Sequence, residues 1–422
     1  MTDGAHLEPV RETWRHVGRI SFLAFAVLFE YGVARASIES LFLESHGPKR
    51  LPAVWIAVAV TAALVVSVYH RLTATRSLVW LFSAASWASA VVVLCCAALH
   101  RVAPSGATFA LYVWKDVHVV VLIEIIWSFA NAVFRTSTAR WAYGFFCAMG
   151  SLGDLSGDLS VGVIAREFGT SAALYVPAVV LPAAALFNSW VSPGRDAAHV
   201  APPKHLEKDL RRVIALFRAS EYLPWLLAMI LLVQVVITLV DYIYNVTLAA
   251  AYPLADERTA VGGNVYAVIA VGALGLQVVT GPILRWVGVR GTLSGVPAIL
   301  GAAVLAVLVV PAFAVVMLVK VASKAFDYSV FRAAKELLYI PLTYEEKTRG
   351  KAVIDILGYR VAKGGASALL GLLVAAGVGG FVDVLALVCI AAWIAVTFVV
   401  GARYASRMRA HDGDGTVTGP ST

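Results

Sequence analysis

Long apolar runs alternate with short polar stretches along most of the chain. Twelve of these runs hold roughly 20 residues, enough for a helix to cross about 30 Å of hydrocarbon. The ten-residue alternation of a membrane β-barrel is absent, and in lipid only helices and closed barrels satisfy the backbone. The pattern therefore predicts an all-α membrane protein with about 12 transmembrane helices. The predicted spans are 20–43, 51–70, 78–99, 107–134, 141–165, 172–191, 222–250, 260–283, 291–310, 312–333, 352–376 and 382–402.

The composition supports this class. The chain of 422 residues is 60% hydrophobic and 14% charged, with a mean hydropathy of +0.81. That is too apolar for a soluble protein, whose core needs a polar shell. Asp3, Glu8 and Glu12 lie among arginines near the N-terminus, unlike the residues of a transit or signal peptide, so we expect the first span to be retained.

Basic residues are unequally distributed between alternate connections. With the N-terminus placed in the cytoplasm, the cytoplasmic segments hold 22 Lys and Arg residues and the external segments hold 5. The positive-inside rule then predicts both termini in the cytoplasm. The same asymmetry explains the net charge of +8 without a nucleic-acid partner.

The longest predicted cytoplasmic connection divides the spans into six and six. Its Pro-rich start leads into a basic amphipathic run, which predicts a linker with a surface helix. Arg71 with Arg76, and Arg285 with Arg290, occupy matching places in the two halves. Two such halves are typical of major facilitator transporters. The predicted divisions are a cytoplasmic N-terminus at 1–19, a first six-helix half at 20–191, the linker at 192–221, a second half at 222–402 and a cytoplasmic tail at 403–422.

Charged residues inside the spans concentrate in the first, fourth, fifth, seventh, tenth and eleventh spans. Inserting a charged residue at the centre of a membrane helix costs roughly 2.5 to 3.5 kcal/mol, so such residues are expected to have a structural or functional role. In a major facilitator the first, fourth, seventh and tenth helices would line the cavity, which predicts a polar substrate pathway. Structural ion pairs are the alternative. The residues are Glu30, Arg35, Glu39, Lys115, Asp116, Glu124, Asp154, Asp158, Asp241, Lys320, Lys324, Asp327, Arg332, Asp355, Arg360 and Lys363.

Two features of these charges point to specific roles. Glu30 lies in the middle of an apolar run and is a candidate proton-coupling carboxylate. Of the nine histidines, His118 lies in the interior of a predicted span, and His70 is the last residue of another. Residues four apart share a helix face. Such pairs are Arg35 with Glu39, Asp154 with Asp158, and Lys320 with Lys324.

Small residues recur in two spans. The stretch GSLGDLSGDLSVG at 150–162 resembles a phosphate-binding loop only superficially, because the preceding strand and the Lys-Ser/Thr pair are missing. Close helix packing is the better interpretation, and we expect the same of GGASALLGLL at 364–373. Without a complete P-loop, metal-ligand spacing or Ser/His/Asp grouping, the sequence predicts neither an enzyme nor a cofactor.

One charged stretch carries a family resemblance. KELLYIPLTYEEKTRGKAVIDILGYR, at 335–360, closely resembles the signature of the ATP/ADP translocase family, the nucleotide transporters of plastids and obligate intracellular bacteria. The stretches LYVWKDVHVVVLIEIIWSFANAVF and GSLGDLSG also resemble the family. The matching signature residues are Lys335, Glu336, Tyr339, Pro341, Lys347, Lys351 and Asp355.

The resemblance implies exchange of anionic nucleotides across a bilayer, in a bacterial inner membrane. Lys335 matches the family's late functional lysine, and Asp241 its acidic residue in the seventh helix. Ile38 and Asn245 stand where many members have lysine. A proton-coupled carrier of another solute and a non-transporting membrane sensor are therefore alternatives, and the oligomeric state stays open. The candidate substrate-binding residues are Arg35, Glu39, Lys115, Asp241, Lys320, Lys324 and Lys335, and the candidate coupling or gating residues are Glu30, Glu336, Asp355 and Arg360.

Overall fold

A computed structural model describes residues 4–134, 136–191 and 210–414. All the long secondary-structure elements in these ranges are helices. Fourteen α-helices are present in these ranges. They are α1 (Gly4–His46), α2 (Leu51–Thr73), α3 (Leu78–Leu99), α4 (Pro104–Val133), α5 (Thr136–Phe168), α6 (Tyr175–Val191), α7 (Leu210–Ala219), α8 (Leu223–Ala251), α9 (Ala255–Trp286), α10 (Gly288–Val309), α11 (Phe313–Tyr328), α12 (Val330–Leu337), α13 (Lys351–Ala375) and α14 (Val382–Asp414).

The all-α class predicted from the sequence is confirmed. No strand occurs in the described ranges, and eight of their helical segments are long and apolar enough to cross a bilayer. The protein is a multi-pass integral membrane protein. Helix ends follow local chemistry: Ser77 accepts a hydrogen bond from the Trp80 backbone at the start of α3, and Gly47 takes a positive φ of 66° where α1 ends.

One predicted span is wrong as a single helix. The span at 312–333 is divided between α11 and α12 by Ser329, whose φ of −127° and ψ of −99° are not helical. The Ser329 hydroxyl donates to the carbonyl of Ala325, four residues back. A side chain that hydrogen-bonds the preceding turn is a known cause of helix distortion. The charged residues of this span therefore lie on two helices.

The described chain divides into two compact units. The first contains the described residues of Met1–Arg50, Ala57–Pro203 and Tyr252–Ala270. The second contains those of Leu51–Ile56, Lys204–Ala251 and Val271–Thr422. The predicted boundaries at 191 and 222 stay predictions, and residues 192–209 of the predicted linker lie outside the described ranges. The short helix α7 occupies the end of that linker.

Helix packing follows one scheme in both units. In the first unit, α1 packs against α4, α5 and α6, while α3 packs against α4 and α6. In the second, α8 packs against α11, α13 and α14, while α10 packs against α11 and α14. The correspondence is the arrangement that a repeated six-helix half produces.

Glycines bring α1 and α5 into backbone contact. A Cβ atom at Gly153 would lie 2.3 Å from the Phe25 carbonyl oxygen, and one at Gly157 would lie 2.1 Å from that of Phe29. Only glycine allows this approach. The close packing predicted for the stretch at 150–162 is confirmed. The same prediction for 364–373 is wrong at Gly365, where a Cβ would meet no atom within 4 Å.

Candidate functional site

A group of buried charges in the first unit is held by the contact between α1 and α5. We call Arg35, Lys115 and the acids around them the first ion cluster. Arg35 donates from one terminal nitrogen to both carboxylate oxygens of Asp158 at 2.8 Å, and it lies 3.3 Å from Asp154 Oδ1. The Asp158 side chain is fully buried. The glycine contacts described above bring α5 close enough to α1 for both carboxylates to reach one guanidinium.

Lys115 of α4 forms the other half of the first ion cluster. Its ammonium nitrogen lies 2.8 Å from Asp116 Oδ1 and 3.2 Å from Glu39 Oε1, and its side chain is buried. It also faces the Tyr112 ring, 4.1 Å from the centroid. A buried ammonium is tolerated when it is paired in this way. Among the described side chains, each of the two cations therefore has two carboxylate partners. The first ion cluster holds two cations and four acids, which are Glu39, Asp116, Asp154 and Asp158.

An aromatic residue of α9 completes this cluster and was not predicted. The Tyr266 ring lies over the Arg35 guanidinium, 3.9 Å from centroid to Cζ, and its hydroxyl donates to Glu39 Oε2 at 2.7 Å. Tyr266 lies in the part of α9 that belongs to the first unit. The candidate residues were predicted from charged positions inside the spans. The apolar run of α9 has almost no charged residues, so nothing in the sequence distinguished this tyrosine.

The second unit holds a smaller set of buried charges, the second ion cluster, formed by Asp241, Lys320 and Lys324. Lys320 Nζ lies 2.6 Å from Asp241 Oδ1, and Lys324 Nζ lies 3.1 Å from Asp241 Oδ2. The two lysines are four residues apart on α11 and face one carboxylate on α8, as their spacing predicts. Asp241 therefore pairs with both lysines, while Asp327 beside Lys324 and Lys363 beside Asp241 are further charges of the same region.

The remaining predicted residues lie at the end of α12 and on α13. Lys335 is buried on α12, with Nζ 6.0 Å from the Tyr339 ring centroid. Glu336 pairs with Lys351 at 2.6 Å, and both side chains are partly exposed. Asp355 and Arg360 belong to α13, but their side chains lie outside what the structure describes. The break at Ser329 separates Lys335 from the lysines of the second ion cluster.

Glu30 has an unpredicted partner. Its Oε1 lies 2.8 Å from Nε2 of His118 on α4, and both side chains are buried. The sequence indicated each residue separately, as an acid in an apolar run and as a histidine in the interior of a span. Spacing along the chain could not join them, because 88 positions separate the two.

Another buried acid lies outside the membrane-spanning helices, in the connection between α12 and α13. Glu346 is 4% exposed and binds Arg407 of α14 at 2.7 Å and the Ser220 hydroxyl at 2.7 Å. Burial would raise the pKa of the Glu346 carboxyl, but hydrogen bonds from Arg407, Ser220 and Thr343 outweigh burial and hold the pKa below its ordinary value. Sequence reasoning treated this stretch as loop charge and missed the contact.

Comparison with known proteins bears on the signature stretch. The sequence model described as TLC ATP/ADP transporter matches residues 292–404, which include that stretch. Over these residues the chain is similar to the TLC ATP/ADP transporters. The ADP,ATP carrier protein 1 of Chlamydia muridarum is 28% identical to this chain over 317 residues, 64% of the chain and 59% of the carrier. That of Rickettsia conorii is 22% identical over 283 residues, 58% of the chain and 57% of the carrier.

These matches confirm the predicted family resemblance, but they cover only part of each carrier. The chain spans about three fifths of the length of those curated carriers. A shorter match is more similar: 38% identity over 110 residues to the ADP,ATP carrier protein 1 of Chlamydia pneumoniae, 25% of the chain and 21% of the carrier.

Solved structures are similar to this chain in fold. The nucleoside transporter NupG superposes with a TM-score of 0.67 at 13% identity, over 92% of this chain and 98% of that one. A bacterial homologue of the iron transporter ferroportin gives 0.69 at 13% identity, over 93% and 99%. Identities this low carry information on the fold alone, and they confirm the predicted major-facilitator-like class.

Both positions where lysine was expected are buried. Ile38 is completely buried on α1. Asn245, 4% exposed, donates to the backbone carbonyl of Asp241 one turn earlier on α8. Asn245 therefore lies next to the second ion cluster without adding charge to it.

Proposed function

We propose that this protein is a secondary transporter that exchanges nucleotides across a bacterial inner membrane by alternating access, with both termini in the cytoplasm. The single observation that carries the proposal is the Lys320–Lys324 pair, in which Lys320 is buried, Lys324 is part-buried, and both share the carboxylate of Asp241. With the nearby Asp327 and Lys363 included, three cations face two acids, which leaves one positive charge in excess. A nucleotide presents several negative charges, and its phosphate oxygens are suitable acceptors for lysine ammonium groups.

The proposed role of Asp241 follows from the cost of burying charge. Two lysines without an anion would be uncompensated charges in an apolar region. Asp241 neutralises one of them and hydrogen-bonds both when no substrate is present. A phosphate group that approaches the lysines replaces part of that interaction, so the site remains compensated whether it is empty or filled.

The roles proposed for the other residues follow from their contacts. Arg35 and Lys115 are further candidate substrate contacts, but each is already held by two carboxylates. Glu39 binds Lys115 and Tyr266 and orients both. Lys335 and Glu336 lie at the end of α12 and are proposed as contacts at the inner mouth, while Asp355 and Arg360 are proposed as coupling or gating residues on α13.

Support for the nucleotide as substrate comes from the relatives, which are named as ADP,ATP carriers. Support for the orientation comes from the bias of 22 against 5 basic residues. The alternatives, a carrier of another solute and a non-transporting sensor, differ from the proposal in a measurable way.

Counterflow tests the proposal. The purified full chain is reconstituted in liposomes loaded with ADP, and labelled ATP is added outside. We expect labelled ATP to accumulate in loaded liposomes and not in empty ones. Lys49→Gln, at an exposed lysine between α1 and α2, serves as a control that keeps uptake. Absence of counterflow with every nucleotide tested would overturn nucleotide exchange and favour one of the alternatives.

A further inference from the structure

The buried pair of Glu30 and His118 is not used by the proposed nucleotide contacts. Neither side chain is exposed by more than 3%. Burying a carboxyl and an imidazole in this way is expensive unless each ionisable atom has a suitable partner. The positions of the two imidazole nitrogens show which partners they have.

The geometry places one proton between the two side chains. Nδ1 of His118 lies 3.0 Å from the carbonyl oxygen of Trp114, and a carbonyl can only accept, so Nδ1 carries a hydrogen. Nε2 lies 2.8 Å from Glu30 Oε1. If neither of these two atoms carried a proton, two lone pairs would face each other. Either Glu30 is protonated and donates to Nε2, or His118 is an imidazolium that donates to a carboxylate.

The surroundings accommodate both positions of that proton. The Trp114 ring stacks on the imidazole with centroids 3.9 Å apart and planes 8° from parallel, which suits an imidazolium. Glu30 Oε2 is buried without a hydrogen-bond partner among the described residues, which suits a neutral acid better than a carboxylate. The total charge of the pair is zero in both forms.

Other charged groups lie on α4 and α5, the two helices with the most extensive packing against α1, and their own partners engage them. On α4, Lys115 binds Glu39 and Asp116, and on α5, Asp154 and Asp158 bind Arg35. On α6, Asn188 accepts from Arg19 of α1. The Tyr31 ring lies 6.3 Å from the His118 ring, and the segment Thr170–Leu174 has no titratable side chain.

We propose that Glu30 and His118 form a proton-binding site that couples proton movement to substrate movement. In the bound state one proton is shared between Oε1 and Nε2. In the released state that proton has left to water, Glu30 is a carboxylate, His118 is a neutral imidazole, and the pair carries one negative charge.

The direction of coupling rests on the proposed function. The first ion cluster already has more acids than cations, so a further negative charge on the pair opposes an anionic substrate. A bound proton therefore favours substrate binding, and by linkage a bound anion favours the proton. Proton and anionic substrate move together in this scheme.

Infrared spectroscopy tests proton binding without any transport. Protonation of a buried carboxyl gives a carbonyl-stretch band that shifts when glutamate is labelled with carbon-13. We expect a titrating band in the reconstituted wild-type protein and its loss in Glu30→Gln. The variant amide can still donate a hydrogen bond to Nε2, so the fold is kept. A spectrum in which Glu30→Gln removes no titrating band overturns the proton site.

Transport tests the coupling. Uptake of labelled ATP into ADP-loaded liposomes is measured at fixed internal pH while the external pH is lowered. We expect wild-type uptake to rise by about tenfold, within the usual range of coupling between two sites, and Glu30→Gln to show uptake that no longer depends on pH. Wild-type uptake that is independent of pH overturns the coupling, even where the infrared band is present.

A matched control and a separate readout keep the two proposals distinct. His46→Gln changes another histidine at the α1–α4 contact, one that faces the Thr108 hydroxyl at 3.4 Å and has no carboxylate partner among the described residues. It should keep the pH response. Absence of uptake at every pH together with an intact infrared band would overturn nucleotide transport and leave the proton site supported.

Discussion

The two ion clusters occupy corresponding helices of the two units but differ in charge. In the first, α1, α4 and α5 supply two cations and four acids, with Arg35 and Lys115 each held by two carboxylates. In the second, Asp241 of α8 pairs with Lys320 and Lys324 of α11. Asp327 of α11 and Lys363 of α13 lie near this group, so two acids face three cations. The same packing scheme thus contains one cluster with excess acid and one with excess base.

This difference in charge suggests a structural role for the first ion cluster and a substrate-binding role for the second. A cation already surrounded by carboxylates has little to gain from a further anion, and its removal leaves acids without compensation. A cation that shares its acid with another lysine can still bind an anion favourably. We therefore expect variants of the first cluster to change stability most and variants of the second to change transport most.

Loss of Asp158 should have the largest effect. Asp158→Asn removes the fully buried carboxylate of Arg35, and breaking a buried ion pair costs about 3 kcal/mol or more. Thermal unfolding in detergent measures this. Asp154→Asn is the matched control, since Asp154 is more exposed and more distant from Arg35, and it should cost less. Equal stability of Asp158→Asn and the wild type would contradict a structural role for the first cluster.

Removal of both lysines of the second cluster should reduce transport strongly. In Lys320→Gln with Lys324→Gln, a phosphate loses charge-assisted hydrogen bonds, and a loss of about 100-fold in nucleotide counterflow follows from roughly 1.5 to 3 kcal/mol for such a bond. The unfolding temperature is recorded in parallel. Retained counterflow in a folded double variant would remove the functional distinction between the clusters.

The glycine contact that supports the first cluster can be tested separately. Gly157→Ala places a methyl group against the Phe29 carbonyl, and overpacking of this kind costs about 1 to 3 kcal/mol. Gly365→Ala adds the same group where no atom lies within 4 Å, and it should leave the unfolding temperature unchanged or slightly raised, because Ala is the better helix former. Similar losses in both variants would contradict the assignment of the Gly157 effect to its contact with Phe29.

The smallest expected effect concerns Glu346, outside the membrane helices. Because its pKa in the folded protein lies below the ordinary 4.5, its contribution to stability is complete above that value and is lost as the pH falls through the folded-state pKa. Arg407→Gln should lower the unfolding temperature near neutral pH, and the difference from wild type should shrink in acid. A difference that is constant with pH would contradict the assigned ion pair.

Sequence reasoning reached the helical class and the charged helices because both depend on local composition and spacing. The shared partner of Lys320 and Lys324, for example, follows from their four-residue interval once α8 is known to lie opposite. The pairing of Arg35 with α5 could not be derived, since spacing defines a helix face and leaves its partner open. Ser329 broke a predicted helix without any Gly or Pro to mark it, and Tyr266 gave no charge signal.

The contact between α1 and α5 also restricts how the first unit can change shape. Where a carbonyl oxygen occupies the space of a missing Cβ, a slide of one residue, about 1.5 Å, would drive a larger side chain into that oxygen. The register of the two helices is therefore fixed. In any rearrangement within the first unit, α1 and α5 have to move together as one rigid body, and the movement has to occur at other helix contacts.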